Sequence, residues 1–139
     1  NRPMRLLVFA LFLTFGLNCG ALAQGTREVA FSTVIGGQLR AFEQRDLVSA
    51  FSYAAPTIQN MFGAPVRFGA MVASGYPMIW NADYSEMLDV IERDGEIWQK
   101  VMITAKDAGI HLLAYRMIET DQGWKIAAVQ IIKALGIGT

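Results

Sequence analysis

Side chains capable of acid–base chemistry are scattered along the chain rather than gathered in one motif. The candidates are Asp83, Asp89, His111 and Tyr115. A carboxylate or an imidazole can act as a general base, and a phenol can donate a hydrogen bond to an oxygen that gains charge. The sequence has no second histidine and no nucleotide motif to accompany them. We interpret these four residues as structural, and a cofactor-free acid–base enzyme is the alternative.

A second set of side chains could bind a molecule rather than transform one. Aromatic and methionine side chains form adaptable, partly polar walls, which pockets for apolar ligands also need. The set therefore predicts either a filled core or a core with a usable cavity. The candidate pocket residues are Tyr53, Phe62, Phe68, Met71, Tyr76 and Trp80.

Turn residues divide the second half of the chain into antiparallel strands. A glycine stands in each of three turns, at Gly95, Gly109 and Gly123, where a positive φ is needed. Runs rich in β-branched and aromatic residues lie between these turns. We expect strands at residues 86–93, 96–105, 110–119 and 124–133, with a shorter candidate strand at residues 76–81.

The register of these strands can be predicted by counting outward from the turns. Pairing Arg93 with Glu96 places Asp89 opposite Lys100, so that opposite charges meet. A four-residue turn at 106–109 places Met102 opposite residue 113, whereas a three-residue loop with a bulge at Gly109 would shift that pairing by one residue. The four-residue turn puts five apolar side chains on a face that no helix covers, which predicts a homodimer through the sheet. These are Trp98, Met102, Leu113, Met117 and Ile126.

The first half of the chain has the pattern of short helices. Thr26 or Ser32 could open a first helix that runs to Arg45. Two adjacent glycines, at 36 and 37, predict either a close approach of this helix to another backbone or loose packing. Asp46 is positioned to cap a second helix, a third spans residues 57–62, and Pro65 is positioned to open a fourth.

The beginning of the sequence is typical of an export signal. Arg2 and Arg5 precede an apolar run at residues 6–17, which is too short to span a bilayer comfortably, and residues 21–23 (Ala-Leu-Ala) form a small-x-small cleavage pattern. We expect residues 1–23 to be a signal peptide, residues 24–139 to form a single domain, and the product to be periplasmic or secreted.

The composition left after cleavage excludes several classes of function. Residues 24–139 hold ten basic and all 12 acidic residues, which gives a net charge of −2. Nothing in this charge balance indicates nucleic-acid binding. The one cysteine leaves with the signal, so disulfides and cysteine catalysis are excluded, and a lone histidine makes a zinc site improbable. We expect no cofactor, no metal and, after cleavage, no membrane contact.

The order of the expected elements, helices first and then a meander of strands, resembles the cone-shaped fold of nuclear transport factor 2, ketosteroid isomerase and scytalone dehydratase. That resemblance implies an α+β fold, with helices packed on a bent antiparallel sheet of four to five strands and any catalytic base inside the cone. A closer resemblance, over residues 34–132, is to the bacterial domain of unknown function 4864, which implies no known activity. It rests on residues 50–58 (AFSYAAPTI), 61–63 (MFG) and 75–77 (GYP), with Phe68, Met71 and Val72.

These observations favour an exported, non-enzymatic binding module for a small apolar or amphipathic ligand. An enzyme would need a buried carboxylate or imidazole whose pKa is shifted by its surroundings, whereas a binding module needs only volume. The alternatives are a cofactor-free isomerase or dehydratase and a purely structural dimerisation domain.

Overall fold

The computed structural model describes the backbone of residues 18–137 and the side chains of residues 25–132. Helices precede an open antiparallel sheet with strand order β1-β2-β3-β4, so the fold is α+β. From Phe31 onward the chain forms one compact unit. The helices are α1 Asn18–Glu43, α2 Leu47–Ser52, α3 Pro56–Phe62, α4 Pro65–Gly75 and α5 Pro77–Trp80, and the strands are β1 Ala82–Arg93, β2 Glu96–Ala105, β3 Gly109–Thr120 and β4 Gly123–Ile137.

Helix α1 begins earlier than Thr26, the first of the two expected start positions, and it ends in a tight cap. No proline interrupts residues 18–43, so nothing in the backbone forces a later start. At the other end the amide of Asp46 donates to the carbonyl of Ala41 at 2.8 Å, and the amide of Arg45 donates to the carbonyl of Phe42 at 3.1 Å. Those two bonds are the Schellman pattern, which requires a left-handed residue, and Arg45 supplies it with a φ of 57°.

Helices α2, α3 and α4 begin within a residue of where local signals predict, and α3 also ends there, whereas α2 ends at Ser52, before the expected stop at Pro56. The carboxylate of Asp46 accepts a hydrogen bond from the amide of Ser49 at 3.2 Å and caps α2. Pro56 and Pro65 occupy the first positions of α3 and α4, where the missing amide hydrogen costs nothing. Gly63 ends α3 in the left-handed conformation, with a φ of 76°.

The expected short strand at residues 76–81 was wrong, because this segment is the helical turn α5. Pro77 opens it with a φ suited to a helix, and the carbonyl of Tyr76 accepts bonds from the amides of Ile79 and Trp80 at 2.9 and 3.0 Å. The sheet of the described residues therefore has four strands.

The first hairpin keeps its expected turn but not its expected charge pair. Asp94 and Gly95 both have positive φ, 54° and 78°, and Arg93 pairs with Glu96 as predicted. A β-bulge between Met87 and Val90 then breaks the count. The predicted pairing of Asp89 with Lys100 is consequently wrong.

The second hairpin uses the three-residue loop, not the four-residue turn. Ala108, with a φ of 70°, takes the left-handed position, and its amide donates to the carbonyl of Ala105 at 2.9 Å. Leu113 therefore pairs with Val101 and not with Met102. A shift of one residue turns every side chain of β3 to the other face.

This shift corrects the composition of the surface assigned to a homodimer. Leu113, Met117 and Ile126 belong to the buried core on the helical side of the sheet, while Trp98 and Met102 lie on the opposite face. The five residues are not one surface, and homodimerisation stays a prediction without that patch.

The predicted signal segment falls mostly outside the residues that the structure describes. Its expected cleavage site, residues 21–23, lies in the first turns of α1. Within residues 18–137 no helix is both long enough and apolar enough to cross a membrane.

Candidate functional site

An apolar cavity of about 300 Å³ lies on the helical side of the sheet. Helices α1, α3, α4 and α5 and strand β4 all contribute to its wall. Its lining residues are Gln38, Phe42, Ala54, Ile58, Met61, Phe62, Phe68, Met71, Val72, Tyr76, Ile79, Ile126, Ala127, Ala128 and Val129.

The wall beside β4 forms because the chain between α2 and α3 adds to that edge of the sheet. The amide of Ile126 donates to the carbonyl of Tyr53 at 2.9 Å, and the amide of Ala55 donates to the carbonyl of Ile126 at 2.8 Å. Ala54 and Ile126 thus form a short parallel bridge. The side chain of Gln59 fixes this segment by donating to the carbonyls of Phe51 and Ala54 at 3.1 and 3.0 Å. Helix α3 is held against β4 as a result.

Phe68 is the centre of the aromatic part of the wall. Its ring centroid lies 5.5 Å from that of Phe51, 5.8 Å from that of Phe42 and 5.8 Å from that of Phe62. Contacts of this kind are worth roughly 0.5–1.5 kcal/mol each beyond the area that they bury. Three such contacts position α4 against α1, α2 and α3.

Two polar side chains interrupt the apolar lining. Gln38 is buried, and its Nε2 donates to the carbonyl of Ala50 at 3.1 Å, which turns its Oε1 away from that carbonyl. The hydroxyl of Tyr76 donates to the carbonyl of Val129 at 3.4 Å. That distance exceeds the 2.5–3.0 Å that is usual for O–H···O bonds, so the Tyr76 bond is weak.

Tyr115 lies close to this part of the cavity but does not line it. Its Cα pairs with that of Val129, its side chain is completely buried, and its hydroxyl has no hydrogen-bond partner among the described residues. Burial, and after it the neighbouring Tyr76, raises the pKa of Tyr115 well above that of an ordinary phenol. Tyr115 therefore stays neutral, and a neutral phenol is unsuited to act as a base.

The structure brings four of the six candidate pocket residues to the cavity. Phe62, Phe68, Met71 and Tyr76 line it, whereas Tyr53 and Trp80 do not. The hydroxyl of Tyr53 instead lies against Gly37, so close that a methyl group there would meet it at 2.5 Å. The close approach to α1 is thus made by a side chain and not by another backbone.

Trp80 packs against the end of α1 and does not line the cavity. The guanidinium of Arg45 lies 4.0 Å from the centre of its ring, and Nη1 of Arg45 donates to its carbonyl at 2.7 Å. The Trp80 ring also contacts Phe42, at 5.8 Å between centroids. Because Phe42 lines the cavity, its side chain lies between the Trp80 ring and the cavity.

The four acid–base candidates lie outside the lining. Asp89 is exposed on β1, next to the bulge. Asp83 is exposed and borders a shallow depression of about 200 Å³ beside α1. His111 is half-buried near the second turn, where its Nε2 would lie 3.1 Å from a methyl group placed on Gly109. The lining residues include no carboxylate or imidazole, and Tyr76 is their one ionisable side chain.

The opposite face of the sheet has its own groove, of about 550 Å³, with a more polar surface. Trp98 and Lys100 lie in it, and Arg116 forms an ion pair with Glu96 at 3.0 Å. The side-chain charges of this groove contrast with the uncharged lining of the cavity.

Sequence reasoning missed the contributions of α1, α5 and β4 to the cavity. Gln38 and Phe42 belong to the ordinary apolar spacing of a helix, which does not distinguish core from cavity. The small residues Ala127 and Ala128, at the bulge of β4, were the available signal, because small side chains in a strand leave space above them.

Among the described residues no cluster of histidine, cysteine or acidic side chains could hold a metal ion.

Residues 24–139 match the family described as domain of unknown function (DUF4864), and the chain belongs to that family. No curated protein and no solved structure matches it.

Proposed function

We propose that this protein is a non-enzymatic binding module that holds a small apolar or amphipathic molecule in the cavity between the helices and β4. The observation that carries the proposal is the cavity itself, about 300 Å³ of space walled almost entirely by hydrocarbon and aromatic rings. Small-molecule sites are typically concave, mostly apolar and equipped with a few polar groups that orient the ligand. Gln38 and Tyr76 are the polar groups of this site.

The chemistry of the lining favours binding over the acid–base alternative. Proton abstraction needs a base within hydrogen-bond reach of the bound molecule. The carboxylates and the imidazole considered for that role border other surfaces, and the nearby phenol of Tyr115 is kept protonated by burial. Volume and apolar surface are what this site offers a ligand.

A pair of valines on α4 allows a matched test of the site. Val72 is buried in the cavity wall, whereas Val66, on the same helix, is 71% exposed and lies outside the lining. With 1-aminonaphthalene as the probe, we expect enhanced, blue-shifted fluorescence on binding to the native protein. Val72→Phe fills part of the cavity and should weaken this binding at least about tenfold, while Val66→Phe should leave it unchanged.

The outcomes of this titration separate the proposal from its rivals. The cavity would be contradicted as a binding site if the native protein did not bind the dye. It would also be contradicted if a folded Val72→Phe variant bound the dye as well as the native chain does. Circular dichroism checks that the variants fold. If Val72→Phe fails to fold, Ile58→Phe on α3 narrows the same cavity from another wall.

We also propose that the fold is a cone of the nuclear-transport-factor-2 type. The order of helices before a four-stranded meander and the cavity between the two layers support this finer assignment. An experimental structure decides it by the curvature of β1–β4, since a flat sheet would argue against a cone.

Export is a further proposal, supported by the charged, apolar and small-residue pattern of residues 1–23. Intact mass spectrometry of protein recovered from a bacterial periplasm is expected to show a chain that begins at Gln24. A chain that keeps residues 4–23 in the membrane fraction would contradict it.

A further inference from the structure

We infer that the cavity selects an electrically neutral molecule that carries a hydroxyl or carbonyl group, an inference that rests on the proposed binding function. No lining residue bears a charge. Arg40, Glu43 and Arg67, on helices that form the wall, are exposed and are not part of the lining. A charged ligand would lose water on entry and would meet no opposite charge, which makes its burial strongly unfavourable.

The polar groups of the cavity fit a hydroxyl or a carbonyl. Because Nε2 of Gln38 is held by the carbonyl of Ala50, its Oε1 is the acceptor that the side chain can offer to a ligand. The weak 3.4 Å bond from Tyr76 to Val129 leaves the phenol able to donate to a better-placed oxygen. A hydroxyl group both donates and accepts, so it can satisfy both residues, and a carbonyl oxygen can satisfy Tyr76.

The surroundings of Tyr115 support the preference for neutral groups. This phenol lies beside Tyr76 and pairs across the sheet with Val129, which lines the cavity. Burial raises its pKa, so the interior at this point stabilises an uncharged oxygen over a charged one. A carboxylate delivered to the same region would face the same penalty.

The size of the cavity sets the scale of the ligand. At roughly 30 Å³ for each water-sized group, a volume of about 300 Å³ accommodates about ten non-hydrogen atoms. An eight-carbon chain with one polar head group is a suitable probe. 1-Octanol, octanoate and octylammonium share that chain and differ in the charge of the head group.

The test compares these three probes on the full chain at pH 7.5, by calorimetry or by displacement of 1-aminonaphthalene. We expect 1-octanol to bind and both ions to bind at least about 100-fold more weakly, since buried ionisable groups lose several pK units of preference for the charged form. Octanoate or octylammonium binding as tightly as 1-octanol would overturn the neutral preference while leaving the binding function intact. Failure of all three probes and the dye would overturn the binding function itself.

Tyr76→Phe tests the hydrogen bond separately from the apolar volume. Loss of one hydrogen bond to the ligand is expected to weaken 1-octanol binding about fivefold, while 1-aminonaphthalene binding shows that the cavity is still formed. Unchanged 1-octanol affinity in this variant would remove Tyr76 from the recognition of the head group.

Discussion

Replacing Tyr115 with phenylalanine removes one buried oxygen and leaves the ring in place. The side chain is fully buried, and its hydroxyl has no hydrogen-bond partner among the described residues. A buried polar group without a partner costs about 1–3 kcal/mol, and that cost disappears in the variant. We therefore expect the free energy of unfolding to rise by about 1 kcal/mol, which for a domain of this size raises Tm by about 4 °C.

The same substitution changes the dependence of stability on pH. Burial raises the pKa of Tyr115 in the folded state, so the unfolded tyrosine loses its proton first, near pH 10. The native protein therefore keeps its full stability below about pH 10 and loses about 1.4 kcal/mol per pH unit as the pH rises further, because only the unfolded tyrosine ionises. Tyr115→Phe lacks this loss, so its advantage over the native protein should widen between pH 9 and pH 11.

Urea unfolding at several pH values measures both effects. Tyr84→Phe is the matched control, because Tyr84 is 60% exposed. A Tyr115→Phe variant that is less stable than the native chain at pH 7 would show that the hydroxyl has a partner. Native and variant curves that stay parallel up to pH 11 would refute the role of burial in keeping the phenol neutral.

Four further substitutions test the packing, a turn and a helix cap. Gly37→Ala should lose about 1–3 kcal/mol of stability in urea, because the new methyl would meet the hydroxyl of Tyr53 at 2.5 Å, whereas Gly36→Ala, with open space, should gain up to about 1 kcal/mol. Equal effects at the two positions would contradict the packing. Ala108→Gly should gain about 1 kcal/mol in the same assay, since Ala108 has a φ of 70°, and a loss would argue against that turn. Hydrogen bonds from the side chain and amide of Ser49 lower the pKa of Asp46. The capping carboxylate of Asp46 therefore stabilises the fold above about pH 4, and this stabilisation is lost in more acidic solution. Asp46→Asn should reduce the fall in Tm that acid causes. An equal fall in Tm in the native chain and in the variant would contradict the cap.

Signals confined to a few residues predicted much of the local structure. Pro65 opens α4 and Gly63 ends α3 because each residue restricts or permits backbone angles without help from distant parts of the chain. The Asp94-Gly95 turn was predictable for the same reason, because this residue pair favours the positive φ angles that the turn needs. Such signals act within one turn of the backbone, so sequence alone is sufficient to detect them.

The register of the sheet depended on details that local signals do not specify. Gly109 was the expected left-handed residue of the second turn, but Ala108 takes that position, at a cost that the rest of the hairpin offsets. The resulting shift of one residue moved Leu113 from the expected outer face into the core. A bulge between Met87 and Val90 likewise left Asp89 without the expected ladder pairing to Lys100.

The candidate site was predicted in part, because aromatic and methionine residues of α3 and α4 follow helical spacing toward the sheet. Trp80 was assigned to the pocket as one of these aromatic residues, but the turn α5 places it beside Arg45 instead. The contribution of β4 depends on the bridge between Ala54 and Ile126, which joins residues far apart in the chain. Spacing along the sequence carries no information about that contact.

Methyl NMR with 1-octanol tests the central claim most directly, because it reports where the molecule binds as well as whether it binds. Met61 and Met71 line the cavity, whereas Met102 lies on the opposite face of the sheet. The account predicts that the methyl resonances of Met61 and Met71 shift in a saturable manner while that of Met102 stays in place. Saturating 1-octanol that shifts Met102 alone, or that shifts none of the three, would contradict the cavity as the binding site.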